Sequence, residues 1–319
     1  MRSLIRTLQR RIEAEGTLRG HNLVAFSGGV DSSVVAALVH EVFPSNSLAC
    51  LGVSPSLPAA QRELAHTIAD RIGIGLREVV TQEGSDPEYI ANRGQSCYHC
   101  KSHLYSALEA IAADATAAVH SRNGGDGDSR NVLFNGTNQE DRSDTTRVGL
   151  KAAAEYSVSS PIDTLTKAQV RAVARALALP NWDHAASPCL RSRLAFGVAA
   201  TPASLARVER AEAAARALLA LGPRDNLRVR AMAAERALVE VDAARLDAAR
   251  ARAAVLSAAI LPLGFAALDV RAFRSGAVSG HADAAAAVAA TAASAEASVE
   301  ERVAADGTRV SAVRAARSQ

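Results

Sequence analysis

The sequence predicts an α/β protein with a doubly wound parallel sheet, followed by a smaller α+β domain. Over residues 1–180, short apolar segments typical of buried strands alternate with longer segments of helical period. A string rich in glycine and serine joins the first of these strands to the next helix. Beyond about residue 181 the period changes to a long helix, a hairpin, a second helix and a strand, which predicts a second domain over residues 181–280.

The elements of the first domain follow from apolar periodicity. An amphipathic first helix, which contains Glu13 and Glu15, is expected to be structural rather than a transit peptide. Strands are predicted at residues 21–26, 47–53, 76–80 and 132–135, and helices at 32–42, 59–72, 104–113 and 166–179. Residues 120–131 are rich in Gly, Asp and Ser, which predicts a flexible insertion loop.

The second domain has its own order of elements. A helix is predicted at residues 202–221, a hairpin at 227–231 and 238–241, a helix at 243–260 and a closing strand at 266–270. Residues 281–319 form an Ala-rich tail with weak periodicity, to which we assign no function.

Composition narrows the classes of function. The chain has 319 residues, of which 49% are hydrophobic, and its formal net charge of +3 does not indicate a nucleic-acid partner. No apolar run is long enough to predict a membrane span. Four cysteines in a chain of this size do not make a disulfide framework, so we expect a reducing compartment, the cytoplasm.

The loop after the first strand is predicted to bind an anion. Its glycines let an anion approach the backbone, its amides and the helix N-terminus supply positive potential, and its serines add hydroxyl donors. The loop lacks the GK[ST] ending of a Walker loop and does not match GxGxxG. The predicted anion-binding residues are Ser27, Gly28, Gly29, Val30, Asp31, Ser32 and Ser33.

The cysteines are predicted to differ in role. Cys50 lies inside a predicted strand and is expected to be a buried, inert thiol. Cys97 and Cys100 form one CxxC pair, whereas a zinc ribbon needs two such pairs. His103, together with either Cys50 or Cys189, could complete a Cys-Cys-His set for a metal ion.

Cys189 differs from the other cysteines because it lies in an irregular segment next to two cations. It follows Pro188, and Arg191 and Arg193 are close along the chain. Nearby positive charge favours a thiolate over a thiol, and the thiolate is the nucleophilic form. We therefore predict that Cys189 is a reactive cysteine.

Two arginines of the predicted hairpin form a candidate anion site. The alternation of a strand places Arg228 and Arg230 on one face, where two guanidinium groups suit a phosphate or a carboxylate. The alternative is a solvated face on which Glu240 and Asp242 of the neighbouring strand balance the two charges.

The phosphate loop resembles the PP-loop of the ATP pyrophosphatases, which cleave ATP to AMP and pyrophosphate and transfer AMP to a substrate oxygen. From this loop to about residue 279, the chain also resembles the LarE family of ATP-dependent sulfur transferases. The matching strings are SPSLP at 54–58, CYHCK at 97–101, NGTNQEDRSD at 135–144, SPIDTLTKAQVRAVARALALPNWD at 160–183, SPCLRSRLAFG at 187–197, LARVERAE at 205–212, LRVR at 227–230 and LDVRAFRSG at 268–276.

The resemblance implies a fold of the PP-loop type, ATP and Mg²⁺ as cofactors, and a homo-oligomer. It also implies a small nucleotide substrate, because LarE proteins convert pyridinium-3,5-biscarboxylic acid mononucleotide to its thiocarboxylic form. That reaction helps to build the nickel-pincer nucleotide cofactor of lactate racemase. By the same resemblance, Val53 and Ser54 flank adenosine on one side, and Gly136 and Thr137 flank it on the other.

The resemblance further implies a source of sulfur. Cys189 matches the sulfur-donating cysteine, which in one branch of the family loses its sulfur and becomes dehydroalanine. In the other branch, three cysteines matching Cys97, Cys100 and Cys189 hold a [4Fe–4S] cluster, and the CxxC pair favours that branch here. The family usually has a small residue where Arg191 stands. Positions matching Ser192, Glu212, Arg228 and Arg230 surround the substrate and its phosphate.

Three other classes of protein remain as alternatives. A tRNA thiolase also uses three cysteines, but it needs an RNA-binding surface, and the chain has no basic run with interleaved aromatic residues. A non-catalytic nucleotide-binding regulator needs no cysteine at position 189. An amidotransferase-type synthetase needs a glutaminase domain, which does not fit within 319 residues. The sequence therefore favours a sulfur transferase that acts on a small molecule.

Overall fold

Four parallel strands form the larger sheet of the computed structural model, which describes residues 1–123, 130–144 and 147–274. They are β1 (Asn22–Phe26), β2 (Ser47–Val53), β3 (Gly75–Val80) and β4 (Val132–Phe134), in the order β3-β2-β1-β4. From β1 the chain continues outward to β2 and β3, and then crosses to β4 on the opposite side of β1. Open α/β sheets bind ligands outside the carboxyl ends of their strands at such a switch point.

Helices cover both faces of this sheet and also flank a second, smaller sheet. The helices of the described part of the chain are α1 (Arg2–Glu15), α2 (Val30–Val42), α3 (Ala59–Ile72), α4 (Pro87–Ala91), α5 (Ser96–Asn123), α6 (Gln139–Ser143), α7 (Gly149–Glu155), α8 (Lys167–Ala176), α9 (Pro202–Leu218), α10 (Leu246–Ala251) and α11 (Ala253–Ile260).

The buried strand β1 separates two hydrophobic core clusters. Val24 and Phe26 pack with residues of α1, α2, α3 and α8, whereas Leu23 and Ala25 pack with residues of α5 and α7. Successive strand residues point to opposite faces, so a strand covered on both sides has to be apolar throughout. The five residues of β1 are all buried, which explains why the sequence shows an unbroken apolar run here.

The second sheet consists of β5 (Leu227–Met232), β6 (Arg236–Val241) and β7 (Ala267–Ala272) in that order. β5 and β6 form an antiparallel hairpin, and β7 pairs with β6 in parallel. A third core cluster fills the space between this sheet and α9 and α11. The parallel four-stranded sheet with a second, small sheet agrees with the predicted α/β class, and the hairpin and closing strand lie where the sequence predicts them.

Helix α5 is longer than predicted. The sequence indicates a helix only at residues 104–113, but the helix begins at Ser96, where the buried hydroxyl donates to the Tyr89 carbonyl oxygen at 3.0 Å. It continues to Asn123 through Ala-rich sequence of high helix propensity. The first four residues of the predicted insertion loop at 120–131 are therefore helical, and residues 124–129 lie outside the described residues.

The single helix predicted at residues 243–260 is divided in the structure. A 3₁₀ turn at Ala243–Arg245 leads into α10, and the chain bends at Arg252 before α11 begins. The bend lets α10 pack on β7 while α11 packs on both β7 and α9. The guanidinium group of Arg252 donates to the Leu218 carbonyl oxygen and fixes the bend against the end of α9.

Residues Met1–Arg274 form one compact unit. The predicted division near residue 180 stays a prediction, and the Ala-rich tail predicted at 281–319 lies outside the described residues. Among the helices of the described ranges, none combines the length and the apolar character that crossing a membrane requires.

Candidate functional site

The predicted phosphate loop lies at the carboxyl end of β1. Gly28 has a φ of +67°, in the left-handed region that favours glycine, and a Cβ atom added to it would lie 2.8 Å from the Cα atom of Ala65. Helix α2 follows at once, with Gly29 as its N-cap residue. The free amides and the positive end of α2 therefore belong to this loop, which gives it the chemistry of an anion site.

Serine hydroxyls hold the loop in shape. The Ser32 hydroxyl accepts a hydrogen bond from the Ser27 amide at 3.2 Å and lies 3.1 Å from the Ser27 hydroxyl. The fully buried Ser33 hydroxyl donates to the Gly29 carbonyl oxygen at 2.8 Å and accepts from the Asn181 side chain at 3.1 Å. Ser27 is exposed. Ser33 therefore supports the loop from beneath, while Ser27 is accessible to a ligand.

The loop after β4 packs directly on the phosphate loop. A Cβ atom on Gly136 would lie 2.6 Å from the Ser32 amide nitrogen and 2.8 Å from the Asp31 carbonyl carbon, so no side chain fits there. The Thr137 amide donates to the Asn135 side chain at 3.0 Å. Because β1 lies between β2 and β4, the Val53–Ser54 and Gly136–Thr137 segments flank the phosphate loop on opposite sides.

Asp31 is the acidic group of the phosphate loop. Burial raises the pKa of this carboxyl, and the negative charge of Asp141 raises it further, against the opposing effects of the Asn138 hydrogen bond and of Lys167. The Asn138 side chain donates to Asp31 Oδ1 at 3.1 Å. Mg²⁺ in nucleotide enzymes is held by one or two carboxylates together with substrate phosphates. Asp31, with Asp141 nearby, fits that donor set.

A cavity of about 620 Å³ lies beside the carboxyl end of β2. Its volume is in the range of small-molecule sites. The predicted adenosine-flanking residues Val53 and Ser54 line it, together with residues of α3 and α9. The Glu209 carboxylate of α9 accepts a hydrogen bond at 2.6 Å from the Ala59 amide, at the start of α3, and so connects the two helices that border the cavity.

The three non-core cysteines lie in one neighbourhood but in different environments. Cys97 is exposed in the first turn of α5, Cys100 is half-buried one turn later, and Cys189 precedes the 3₁₀ turn Leu190–Arg193. Burial raises the pKa of the Cys100 thiol to about 12, and the charges of Cys189, Glu83 and Cys97 add to this effect against that of Lys101. Thiols that affect one another in this way are near neighbours.

Cys50 is different, as the sequence predicts. It is fully buried in β2, and burial raises the pKa of its thiol to about 12. A buried thiol of this kind is not a nucleophile at neutral pH.

Arg191 contacts a different cysteine from the one that the sequence suggests. Its Nη2 atom lies 2.6 Å from Cys97 Sγ, and its Nη1 atom donates to the Asn92 side chain at 3.1 Å. Burial lowers the pKa of Arg191, but the charges of Cys97 and Cys189 outweigh this effect and raise it. Arg191 therefore interacts electrostatically with both sulfur atoms, and its direct contact is with Cys97.

The structure does not support the predicted [4Fe–4S] cluster at Cys97, Cys100 and Cys189, which stays a prediction. Within residues 1–123, 130–144 and 147–274, no group of three or more His, Cys, Asp or Glu side chains is arranged to hold a metal ion. Cys97 Sγ contacts a guanidinium group, and Cys100 Sγ lies 3.9 Å from the Glu83 carboxylate, which would repel the negative thiolates of a cluster. The alternative ligand His103 instead lies 3.4 Å from Asp86.

Arg193, which the sequence places near Cys189, forms its ion pair with a carboxylate. This guanidinium group is buried and forms a two-pronged ion pair with Glu212, at 3.0 and 2.9 Å. It also donates to the carbonyl oxygens of Pro188 and Cys189. Burial disfavours the charge on Glu212, but Arg193 outweighs burial and lowers the pKa of that carboxyl. The charge of Arg193 is therefore balanced, and its structural effect is to hold the loop that carries Cys189.

The two arginines of β5 have separate environments. Arg230 pairs with the fully buried Glu240 at 2.6 Å, and Arg271 contacts the same carboxylate. The face is therefore buried rather than solvated, and Asp242, the other acidic residue of the alternative, accepts hydrogen bonds from Asn226. Arg230 also donates to the Ser192 carbonyl oxygen at 2.9 Å, and the Ser192 hydroxyl donates to the Cys189 carbonyl oxygen at 2.7 Å. Arg230 therefore supports the Cys189 loop.

Arg228 is a buried cation that forms no direct ion pair with a described carboxylate, although the charge of Glu212 acts on it. Its guanidinium group donates to the carbonyl oxygens of Leu227 and Ala186 and lies 5.4 Å from the Phe273 ring centre. No carboxylate of the described residues is within ion-pair distance of it. Burial, followed by the charge of Arg193, lowers the pKa of Arg228 to about 10. An anionic group beside Arg228 would relieve this unfavourable burial.

Sequence comparisons connect the chain with three proteins, although no family model matches it. An uncharacterized protein of Synechocystis sp. is 38% identical over 192 residues, which are 60% of this chain and 66% of that protein. The pyridinium-3,5-bisthiocarboxylic acid mononucleotide synthase of Lactiplantibacillus plantarum is 29% identical over 198 residues, 61% of this chain and 67% of that one. The NH₃-dependent NAD⁺ synthetase of Alkaliphilus oremlandii is 33% identical over 70 residues, 22% and 27% of the two chains.

A glycine- and serine-rich phosphate loop at the switch point of a parallel sheet, together with similarity to a synthase and a synthetase, defines an enzyme of the PP-loop class. Within that class, the similarity to the Lactiplantibacillus plantarum synthase, a LarE protein, confirms the family predicted from the sequence. The matched segments span about two thirds of the first two relatives.

Proposed function

We propose that this protein is an ATP-dependent sulfur transferase that activates a substrate carboxylate as an acyl adenylate and sulfurates it at Cys189. The proposed substrate is pyridinium-3,5-biscarboxylic acid mononucleotide, and the product is its thiocarboxylate, used in nickel-pincer nucleotide cofactor assembly. The main support for the proposal is a hydrogen bond that connects the Cys189 loop with the ATP-binding end of the sheet. The Leu190 amide, next to Cys189, donates at 2.8 Å to the carbonyl oxygen of Ser56, two residues beyond the predicted adenosine position Ser54.

The first step uses the phosphate loop. A carboxylate oxygen of the substrate attacks the α-phosphorus of ATP, the bond from that phosphorus to the β-phosphate oxygen breaks, and pyrophosphate leaves. The amides at the start of α2 and the exposed Ser27 hydroxyl stabilise the leaving pyrophosphate. Asp31 is the residue that would hold Mg²⁺, which neutralises phosphate charge.

The second step uses the Cys189 loop. The Cys189 sulfur attacks the carbonyl carbon of the adenylate, and the bond from that carbon to the AMP oxygen breaks. Loss of the Cα proton of Cys189 then breaks its Cβ–S bond, so the thiocarboxylate leaves with the sulfur and dehydroalanine remains at position 189. The position of the sulfur is fixed by the hydrogen bonds that Arg193 and Ser192 donate to the Cys189 carbonyl oxygen. Fixed geometry of this kind replaces a bimolecular encounter with a reaction between oriented groups.

Arg228 supports the choice of a nucleotide substrate. A fully charged guanidinium group is costly to bury unless an anion pairs with it, and the described residues supply no carboxylate at ion-pair distance. The phosphate of a mononucleotide provides two oxygens for the planar guanidinium group. Arg230 has Glu240 as its partner and is assigned a supporting role.

The test separates adenylation from sulfur transfer. Pyrophosphate–ATP exchange should depend on the carboxylate substrate, because only that substrate accepts AMP. Cys189→Ser should retain this exchange and lose the thiocarboxylate product, as detected by mass spectrometry. Cys50→Ala is the matched control, because it removes a cysteine that lies in the core. Exchange that is independent of the substrate, or thiocarboxylate formation by Cys189→Ser, would refute the proposal.

A further inference from the structure

The carbonyl oxygen of Cys189 accepts hydrogen bonds from three donors. The Ser192 hydroxyl donates at 2.7 Å, the Ser192 amide at 3.0 Å and Nη1 of Arg193 at 3.1 Å. The amide bond is the ordinary closing bond of the 3₁₀ turn Leu190–Arg193, which begins directly after Cys189. The other two donors are additional, although a carbonyl oxygen has only two lone pairs. This oxygen therefore has more donors around it than a resting peptide group needs.

One of the three donors is a buried cation. The Arg193 side chain is 1% exposed, and the Glu212 carboxylate accepts from its Nε and Nη2 atoms at 3.0 and 2.9 Å. This two-pronged pair leaves Nη1 to face the carbonyl oxygens of Pro188 and Cys189. Nη1 also lies 3.2 Å from the Ser192 hydroxyl oxygen, so the guanidinium charge strengthens that hydroxyl as a donor. Shielded from water, such donors stabilise negative charge more than they would in solvent.

Ser192 is held in place by a second buried arginine. Nη1 of Arg230 donates to the Ser192 carbonyl oxygen at 2.9 Å, and Arg230 is itself paired with the buried Glu240 at 2.6 Å. Cys189 is half-buried, and residues 186–188 just before it are exposed. The donors are thus fixed in advance of any reaction, while the cysteine that they serve stays accessible to solvent.

Release of sulfur from Cys189 creates negative charge on this same oxygen. In the proposed reaction, Cys189 loses its Cα proton and its Cβ–S bond breaks. The electron pair left on Cα is shared with the adjacent carbonyl group, so charge develops on the carbonyl oxygen as in an enolate. Fixed donors aimed at the atom where charge develops lower the barrier to reaction. The surplus of donors at the Cys189 carbonyl oxygen fits this requirement.

We propose that Arg193 and Ser192 form an oxyanion site for the Cys189 carbonyl oxygen and so catalyse the elimination that releases the transferred sulfur. This inference rests on the proposed function and deepens it, because it assigns the residues that promote the last step of sulfur transfer. Arg193 and Ser192 touch a reacting atom and are catalytic residues. Glu212 and Arg230 act through them and are positioning residues.

The step balances in atoms and electrons. A hydroxide ion from solvent takes the Cα proton of the Cys189 thioester and becomes water. The electron pair of the broken Cα–H bond forms the double bond between Cα and Cβ, and the thiocarboxylate leaves with the electron pair of the Cβ–S bond. Position 189 becomes dehydroalanine, and no external oxidant or reductant takes part.

The first arm of the test needs neither ATP nor substrate. Accessible thiols of the full chain are cyanylated with 2-nitro-5-thiocyanatobenzoate, which turns each sulfur into part of a thiocyanate leaving group. Formation of dehydroalanine at mildly alkaline pH is followed by peptide mass spectrometry, with the exposed Cys97 as the reference in the same chain. We expect elimination at position 189 to be about a hundredfold faster than at position 97. Equal rates at the two positions would overturn the proposal.

Variants of the two donors separate catalysis from structure. Ser192→Ala should slow elimination at position 189 by about tenfold to a hundredfold, and Ser192→Thr, which keeps the hydroxyl, should restore it. Ser102→Ala is the matched control, because the half-buried Ser102 hydroxyl also donates to a backbone carbonyl oxygen, that of Tyr98, at 3.0 Å. An unchanged rate in Ser192→Ala would contradict the inference.

The role of Arg193 is tested in a double variant, because Arg193→Met alone leaves a buried carboxylate without its partner. Arg193→Met with Glu212→Gln removes both buried charges, and urea denaturation shows whether the chain is folded. We expect elimination at position 189 to slow by about a hundredfold to a thousandfold. A wild-type rate in the folded double variant would count against Arg193.

The second arm is a single turnover with ATP and the carboxylate substrate. In the wild type we expect one dehydroalanine at position 189 for each thiocarboxylate released. In Ser192→Ala the acyl thioester of Cys189 should accumulate, as an added mass on that peptide, while substrate-dependent pyrophosphate exchange continues. Release as fast as in the wild type, without accumulated thioester, would contradict the inference. Absence of both thioester and dehydroalanine in the wild type would instead refute the proposed function, and the first arm would still test the oxyanion site.

Discussion

Replacing Gly136 by alanine places a methyl group against the backbone of α2. The new Cβ atom would lie 2.6 Å from the Ser32 amide nitrogen, 2.8 Å from the Asp31 carbonyl carbon and 3.0 Å from the Ser32 Cα atom. Favourable contacts between carbon atoms need about 3.5–4.0 Å, so the two segments must separate by about 1 Å. The atoms in the way are backbone atoms, which cannot rotate aside. Overpacking of this kind costs about 1–3 kcal/mol.

The phosphate loop is the segment that moves, so the cost should appear in ATP binding. A loss of that size corresponds to ATP affinity about fivefold to 150-fold weaker. Titration calorimetry with ATP measures the affinity, and urea denaturation measures the free energy of unfolding separately. Gly84→Ala is the matched control, because an added Cβ atom at Gly84 meets no atom within 4 Å. Unchanged ATP affinity in Gly136→Ala, with a lowered stability, would show that this loop does not bind the phosphates.

Three other predictions concern the charged groups around Cys189. Glu212→Gln leaves the buried Arg193 without its charge partner and should lower the free energy of unfolding by about 3–5 kcal/mol. Asp269→Asn, in the exposed pair with Arg236, should change it by less than about 1 kcal/mol in the same urea titrations. Arg193 lowers the pKa of Glu212 in the folded protein, so this carboxylate stabilises the fold above its unfolded pKa of about 4.3, and the stabilisation is lost as the pH falls below that value. The free energy of unfolding should therefore fall less between neutral and acid pH in Glu212→Gln than in the wild type. Arg228→Gln should raise the KM for the nucleotide substrate at least about tenfold without changing the KM for ATP. The control Arg236→Gln, at an exposed position, should leave both KM values unchanged. An equal rise in both KM values would show that Arg228 does not bind the nucleotide substrate specifically.

Local sequence was sufficient to predict the elements that form the nucleotide end of the sheet. The strand at Ser47–Val53 and the helix at Ala59–Ile72 have the predicted bounds, because an apolar run and a glycine in the left-handed region at Gly73 define them within a few residues. The phosphate loop was predictable for the same reason, since its glycines, serines and following helix are contiguous.

The start of α5 was not predictable in this way. Its first turn contains cysteine, tyrosine and histidine, whose helix propensities are modest. A tertiary contact, the hydrogen bond from Ser96 to the Tyr89 carbonyl oxygen, fixes the start instead. This difference matters for the chemistry, because it places Cys97 and Cys100 on a helix N-terminus rather than in a loop.

The arrangement of charge around the cysteines also depends on long-range contacts. Arg193 and Glu212 are 19 residues apart along the chain, and Glu83 and Cys100 are 17 apart. Neither separation has a periodicity that a helix or strand would reveal. From the sequence, the nearness of Arg193 to Cys189 along the chain suggested an interaction between the two, and nothing indicated that Glu83 lies beside Cys100. The pairing of Arg230 with Glu240 was accessible as an alternative because both lie on neighbouring strands of a predicted hairpin.

Transfer of oxygen from the substrate to AMP tests the central claim most directly. The carboxylate groups of pyridinium-3,5-biscarboxylic acid mononucleotide are labelled with heavy oxygen, and the AMP formed in a complete reaction is analysed by mass spectrometry. Adenylation followed by sulfur attack breaks the bond between the carbonyl carbon and the labelled oxygen, so each AMP should carry one heavy oxygen on its phosphate. Thiocarboxylate formation accompanied by unlabelled AMP would contradict the account.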